Sequence, residues 1–171
     1  MPNFLPIVLK GAPVLRQRAT PVADPHTPEV QNLIDSMLET MYEARGIGLA
    51  ANQVAVATRI AVIDPRNSRR SSKMEMEGRE VDDLNDWLPM VLINPEITAV
   101  DSPTSRMMEG CLSQPGITGE VDRPLSIKVK WLARSGAPYE AVFTGMIARV
   151  IQHEVDHLDG ILFTDRLVKA Q

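Results

Sequence analysis

The hydrophobic positions of this chain change period several times along its 171 residues. From Ile7 to Pro21 they are broken by proline and glycine and follow no period, which predicts an irregular N-terminal stretch. Thr27 followed by Pro28 marks a helix start, with proline at the first helical position. Val30, Leu33, Ile34, Met37, Leu38 and Met41 then fall at helical spacing, and Gly46 supplies a stop, so a core-facing helix is expected here. Arg59–Asp64 and Val91–Asn94 read as short strands stopped by Pro65 and Pro95. Ile127, Val129 and Trp131 alternate with Lys128 and Lys130, a turn follows at Ser135–Gly136, and Tyr139–Phe143 resumes the extended pattern, which predicts a hairpin. A last helix is expected from about Met146 to Leu158, ending near Gly160. Strands are grouped rather than alternating with helices, so the class is α+β. Arg66–Trp87 is polar and densely charged, and reads as a solvated or partly disordered loop inserted into one domain, 1–171.

Composition narrows the function classes. Hydrophobic residues make up 44%, enough for a sizeable core, and the net charge of −4 argues against broad binding to a nucleic-acid backbone; no DNA partner is expected. The single cysteine, Cys111, allows no intramolecular disulfide, which fits a reducing compartment. The opening residues MPNFLPIVLK lack the basic start and unbroken apolar run of a signal peptide, and no apolar run approaches the roughly 20 residues of a membrane span. The expectation is a cytoplasmic protein of bacterial type without a membrane partner, an organellar location remaining open.

The chemistry concentrates in His153-Glu154-Val155-Asp156-His157. On a helix, residues four apart are turned by only about 40° and displaced by about 6 Å, so both imidazoles can reach one metal. Met146, Ile147, Val150, Ile151 and Leu158 define an apolar face that includes Glu154, with Arg149, Gln152 and Asp156 opposite. A carboxylate on an apolar face is costly without compensation, and a divalent ion with its water supplies it. A helix with two surface histidines and a chance glutamate is the bland alternative. A third ligand is needed; the 14 residues after His157 hold no histidine or glutamate, and Asp159 and Asp165 are poorly placed. Cys111, in Glu109-Gly110-Cys111-Leu112-Ser113, is the best candidate against its reading as a small buried hydrophobe, and Gly110 permits close backbone approach. One cysteine and two histidines leave a coordination position open, as in catalytic rather than structural sites. Gly46–Gln53 (GIGLAANQ) by itself reads as a helix cap and tight turn; its small residues would also let an extended peptide lie against the backbone, with Gln53 as an amide donor.

Taken together and in this order, GIGLAANQ, EGCLS and QHEVDHL resemble the three motifs of the peptide deformylase family. Pro6–Val22, Asn94–Glu96, Gly145–Arg149 and Asp159–Arg166 are similar as well, so the resemblance covers most of the chain. It implies antiparallel sheets packed around a C-terminal helix carrying the histidines. It implies one divalent ion on Cys111, His153 and His157, ferrous iron in the cell with zinc, nickel or cobalt as substitutes. It implies Glu154 as general acid and base, and the Gln53 side chain and Leu112 N–H as donors to a developing oxyanion. The implied reaction is hydrolysis of the N-formyl group of formylmethionyl nascent peptides, releasing formate. An apolar pocket for the methionine is expected from Ile47, Met107, Met146 and Val150, with Gly48 and Gly110 beside the substrate backbone. Gln114 and Thr118 depart from the usual residues, Thr118 standing where many members carry a peptide-binding arginine. Only four residues follow Leu167, so the long C-terminal helix by which some members dock on the ribosome is not expected, and any ribosome contact should be weak. An endopeptidase of the zinc type and a closed structural metal site are the competing readings.

Overall fold

The computed structural model describes residues 3–98 and 101–169. Helix α1 spans Pro28–Glu43, its first turn capped by the Thr27 hydroxyl, which accepts from the Val30 N–H. Ile34, Met37 and Met41 on its apolar stripe are fully buried. The helix closes in a Schellman arrangement: the Gly46 N–H donates to the Met41 carbonyl (2.9 Å) and the Arg45 N–H to the Tyr42 carbonyl (3.0 Å). The stop therefore falls where expected, but the residue with positive φ (56°) is Arg45, one place before Gly46.

Strands β1 (Gly48–Ala50), β2 (Ile60–Ile63), β3 (Ser72–Met76), β4 (Arg79–Glu80), β5 (Met90–Thr98), β8 (Ser126–Leu132) and β9 (Pro138–Gly145) form one antiparallel sheet in the order β1-β2-β5-β8-β9-β3-β4. Strands β6 (Thr104–Cys111) and β7 (Gln114–Pro124) form a separate two-stranded ribbon. Helix α2 (Met146–Leu158) leaves β9 directly. The continuous apolar run of β2 has a physical cause. Ile60 and Val62 pack with α1 residues on one face, and Ile63 packs with Ile147, Val150 and Ile151 of α2 on the other, so every side chain is buried. Antiparallel sheet around a C-terminal helix is thus the observed architecture.

Two expectations need correcting. Arg66–Trp87 is not a solvated loop: β3 pairs with β9, Met74 is fully buried, and Val81, Leu84 and Trp87 pack against the core around α2. The charges mask one apolar position in each short element. The strand expected to stop at Pro95 runs on to Thr98 through a register shift. Asn94 adopts φ 51° there and its side chain bridges both backbone groups of Val22, so the proline sits in a bulge rather than ending the strand. The polar side of α2, with Arg149, Gln152 and Asp156, is itself buried, in contact with the ribbon and the C-terminal segment.

Candidate metal centre

Three side chains from two elements converge on one point. The end of β6 presents Cys111, and one flank of α2 presents His153 and His157. Their candidate ligand atoms all lie within 4.8 Å of one another, the Cys111 sulfur and His157 Nε2 being 3.2 Å apart. Among the described residues this is the group of cysteine, histidine and carboxylate side chains that could hold an ion. Burial holds the His157 pKa down to about 3, so its ring is neutral with a lone pair to offer. Burial also opposes charge on His153, yet Cys111 and Glu109 beside it outweigh this and push its pKa up to about 10. The surroundings of His153 therefore favour positive charge at that spot, and a divalent ion satisfies the same field. Thiolate and imidazole donors with this spacing suit a transition metal. The residues fit the group that the motif implies.

Glu154 lies next to these donors, buried, with its Oε2 lacking any hydrogen-bond partner among the described residues. Burial pushes its pKa up to about 7, against the opposing influence of His153 and Arg123. A carboxyl group poised there can take up and release a proton near neutrality. Gly48 explains how it comes so close: a Cβ on that residue would stand 2.7 Å from Glu154 Oε1 and 2.9 Å from Val150 Cγ1. Glycine is needed for β1 to approach α2, a tighter requirement than the room for a peptide expected from sequence. Gln53 accepts from the Ala50 N–H through Oε1, while its amide nitrogen donates to Ser113 Oγ (3.1 Å) and towards the Cys111 sulfur (3.5 Å).

These groups open into a cleft of about 460 Å³. Its wall includes the expected Ile47, Gly48, Gln53, Gly110, Cys111, Leu112, Met146, Val150, His153 and Glu154. Met107 is not on it. Its neighbour Met108, exposed on β6, lies on the wall instead. Arg45 stands on the wall too. Gln114 is buried and donates to Thr164 Oγ1 (3.1 Å), and Thr118 is exposed on β7 opposite Gly110.

Sequence reasoning missed what holds the site rigid. Glu109 Oε1 accepts from His153 Nδ1 (2.9 Å) and from Arg123 Nη2 (3.0 Å), and Oε2 accepts from Arg123 Nε (2.7 Å) and Arg149 Nη1 (2.6 Å). Arg123 reaches on to Asp156 (2.9 Å), which also accepts from Arg166 (2.6 Å). Burial resists ionisation of Glu109, but the hydrogen bonds from His153 and Arg123 prevail and keep its carboxyl well below the ordinary range. Glu109 thus fixes the ring orientation of His153, leaving Nε2 to face the cluster. The Phe163 ring stacks on His153 with centroids 6.1 Å apart. The one sequence signal for this was that Glu109 precedes the Gly110-Cys111 pair.

Comparison with known proteins agrees with the geometry. The family described as polypeptide deformylase matches residues 4–171. A peptide deformylase of Chlorobium limicola is 44% identical over 98% of this chain and 83% of its own length. Peptide deformylase 1 of Pseudomonas syringae is 46% identical over 90% of this chain and 80% of its own. Among solved structures, a class I type b peptide deformylase from Acinetobacter baumannii bound to Met-Ala-Ser superposes with a TM-score of 0.84, at 36% identity, covering 98% of this chain and all of that one. A Synechococcus elongatus peptide deformylase in complex with actinonin gives 0.81 at 38% identity, covering 99% of this chain and 81% of that chain.

Proposed function

The chain belongs to the polypeptide deformylase family, metalloenzymes that remove the N-formyl group of formylated peptides, and from that premise we propose which residues carry the reaction here. Cys111, His153 and His157 are the metal ligands. The observation that carries this is the convergence of their donor atoms within 4.8 Å beside a buried carboxyl group without a partner. A divalent ion held there supplies a Lewis acid for the water and for the formyl oxygen. Ferrous iron is the ion we assign in the cell, with zinc, nickel or cobalt as substitutes; a thiolate with two imidazoles suits each of them.

Glu154 takes the proton from the attacking water and returns it to the amine that leaves. The formyl carbon–nitrogen bond breaks, and the products are formate and a free N-terminus. Gln53 turns its amide nitrogen towards the cysteine, and this supports its donating to the oxygen that becomes negative, together with the Leu112 N–H. Ile47, Met146 and Val150 form the apolar seat of the methionine side chain, with Met108 closing it from the ribbon. The substrate backbone lies along Ile47 and Gly48 on one side and Gly110 on the other, adding as a short strand. The Met-Ala-Ser bound to the Acinetobacter relative supports a peptide of that kind as the ligand.

We read residues 1–171 as one catalytic domain in the cytoplasm, a location supported by the bacterial origin of the relatives. A weak ribosome contact is supported by the exposed basic residues Arg69, Arg70 and Lys73. The decisive experiment is an anaerobic formate-release assay on formyl-Met-Ala-Ser with metal analysis of the same sample. Stoichiometric metal and formate release are expected. Cleavage of an internal peptide bond instead would point to the endopeptidase reading.

A further inference from the structure

We propose that Arg45 reads the charge of the substrate just beyond the formylmethionine, favouring an acidic side chain at the second or third residue. This rests on the deformylase reading of the cleft. The charged side chains on the cleft wall are Arg45, Glu109, Arg149, His153 and Glu154. Glu109, Arg149 and His153 are bonded to one another through Glu109, and Glu154 lies buried at the reacting end. Arg45 is different. It is exposed, and among the described residues it makes no ion pair within 4 Å, although Glu43 stands only two residues away. Arg66, by contrast, is already committed to Asp64 (2.6 Å). Among the described residues the wall therefore carries one uncommitted cation, at the exit of α1 and two residues before Ile47, at one end of the edge along which the substrate backbone is proposed to lie.

The backbone at Arg45 makes the charge separable from the fold. Arg45 occupies the positive-φ position of the Schellman closure, the place where glycine is the low-strain residue. Glycine at that position removes the side chain without straining the backbone, so Arg45→Gly isolates the effect of the charge. The overall charge of −4 cannot explain a taste for acidic substrates, because it acts in the opposite direction. Any such preference has to be local.

The test measures kcat/KM on C-terminally amidated formyl-Met-Asp-Ser and formyl-Met-Ala-Asp, each against its lysine counterpart, with formyl-Met-Ala-Ser as reference. For one exposed charge pair, a preference of about two- to fivefold for aspartate is expected at one position or both, falling as salt is raised. The preference should vanish in Arg45→Gly and invert in Arg45→Glu. Arg45→Gly should fold with a Tm at or above that of the wild type, since glycine suits the positive φ. A wild-type ratio below two at both positions overturns the proposal, and so does a ratio that survives in Arg45→Gly. Absence of formate from every peptide, reference included, would refute the deformylase reading instead.

Discussion

Replacing Glu109 by glutamine should cost about 3–5 kcal/mol of stability, the usual penalty for removing one partner from a buried ion pair. The structure explains why the penalty should be large. Glu109, Arg123 and Arg149 have side chains only 4–5% exposed, and the two carboxylate oxygens accept four hydrogen bonds. Glutamine keeps the shape but retains one acceptor oxygen and turns an NH2 group towards a donor. Arg123 and Arg166 would then share Asp156, and Arg149 would keep no carboxylate within 4 Å among the described residues. For chains of roughly 150–250 residues, Tm falls by about 2–4 °C per kcal/mol, so a drop of about 6–20 °C is expected. His153 also loses the acceptor that fixes its ring, which should weaken metal binding about 10- to 100-fold. Thermal denaturation followed by circular dichroism, with zinc titration of the same variant, measures both effects. A Tm within 3 °C of the wild type (about 1 kcal/mol) together with unchanged zinc affinity would refute the reasoning.

Three further outcomes follow from the same geometry. Glu154→Ala should fold and keep its metal through Cys111, His153 and His157 while losing at least about 10²-fold in kcat, because only the proton carrier is gone; near wild-type turnover on formyl-Met-Ala-Ser would remove Glu154 from the reaction. Met74→Ala should cost about 2–5 kcal/mol in urea unfolding, since the side chain is fully buried between β9 and α2; a solvated loop would give almost no change. Asp64 is half of a pH test. Burial would raise its pKa, but hydrogen bonds from Arg66 and Tyr42 outweigh that and lower it, so its contribution to stability is complete above the unfolded value of about 3.9 and is lost as pH falls through the folded one. The Tm gap between wild type and Asp64→Asn should stay constant above about pH 5 and narrow below about pH 4, and a gap that widens in acid would reverse the assignment.

The sequence made legible those elements whose burial is apolar. Helix α1, the β8–β9 hairpin and α2 each bury a face of aliphatic and aromatic residues and appear as a period in the sequence, while β2, buried on both faces, appears as a short unbroken apolar run. The metal cluster was legible for another reason: histidines four apart on one helix need no tertiary knowledge to be paired. The β6–β7 ribbon was not visible because the face it turns to α2 is held by Glu109 and Arg123, charged residues whose burial makes sense only once Arg149 and Asp156 are opposite them. The β3 strand hid for a similar reason, having one deeply buried residue, Met74, among charges. Met107 rather than Met108 is the methionine expected on the cleft because the path of β6 is not visible in the sequence.

The proposed ligands come from separate parts of the fold, and this has a consequence for assembly. Cys111 arrives on the ribbon, while both histidines arrive on a helix packed against the larger sheet. The i, i+4 pair can form as soon as α2 is helical, but a three-donor site exists only after the ribbon has docked. An ion gripping all three then acts as a clip across that seam, and its binding energy is added to the docking of β6–β7 rather than to α2 alone. High-affinity metal capture should therefore be the last event of maturation, and chelation should first loosen the ribbon, visible as faster amide exchange in Thr104–Pro124 while α1 and β2 stay protected.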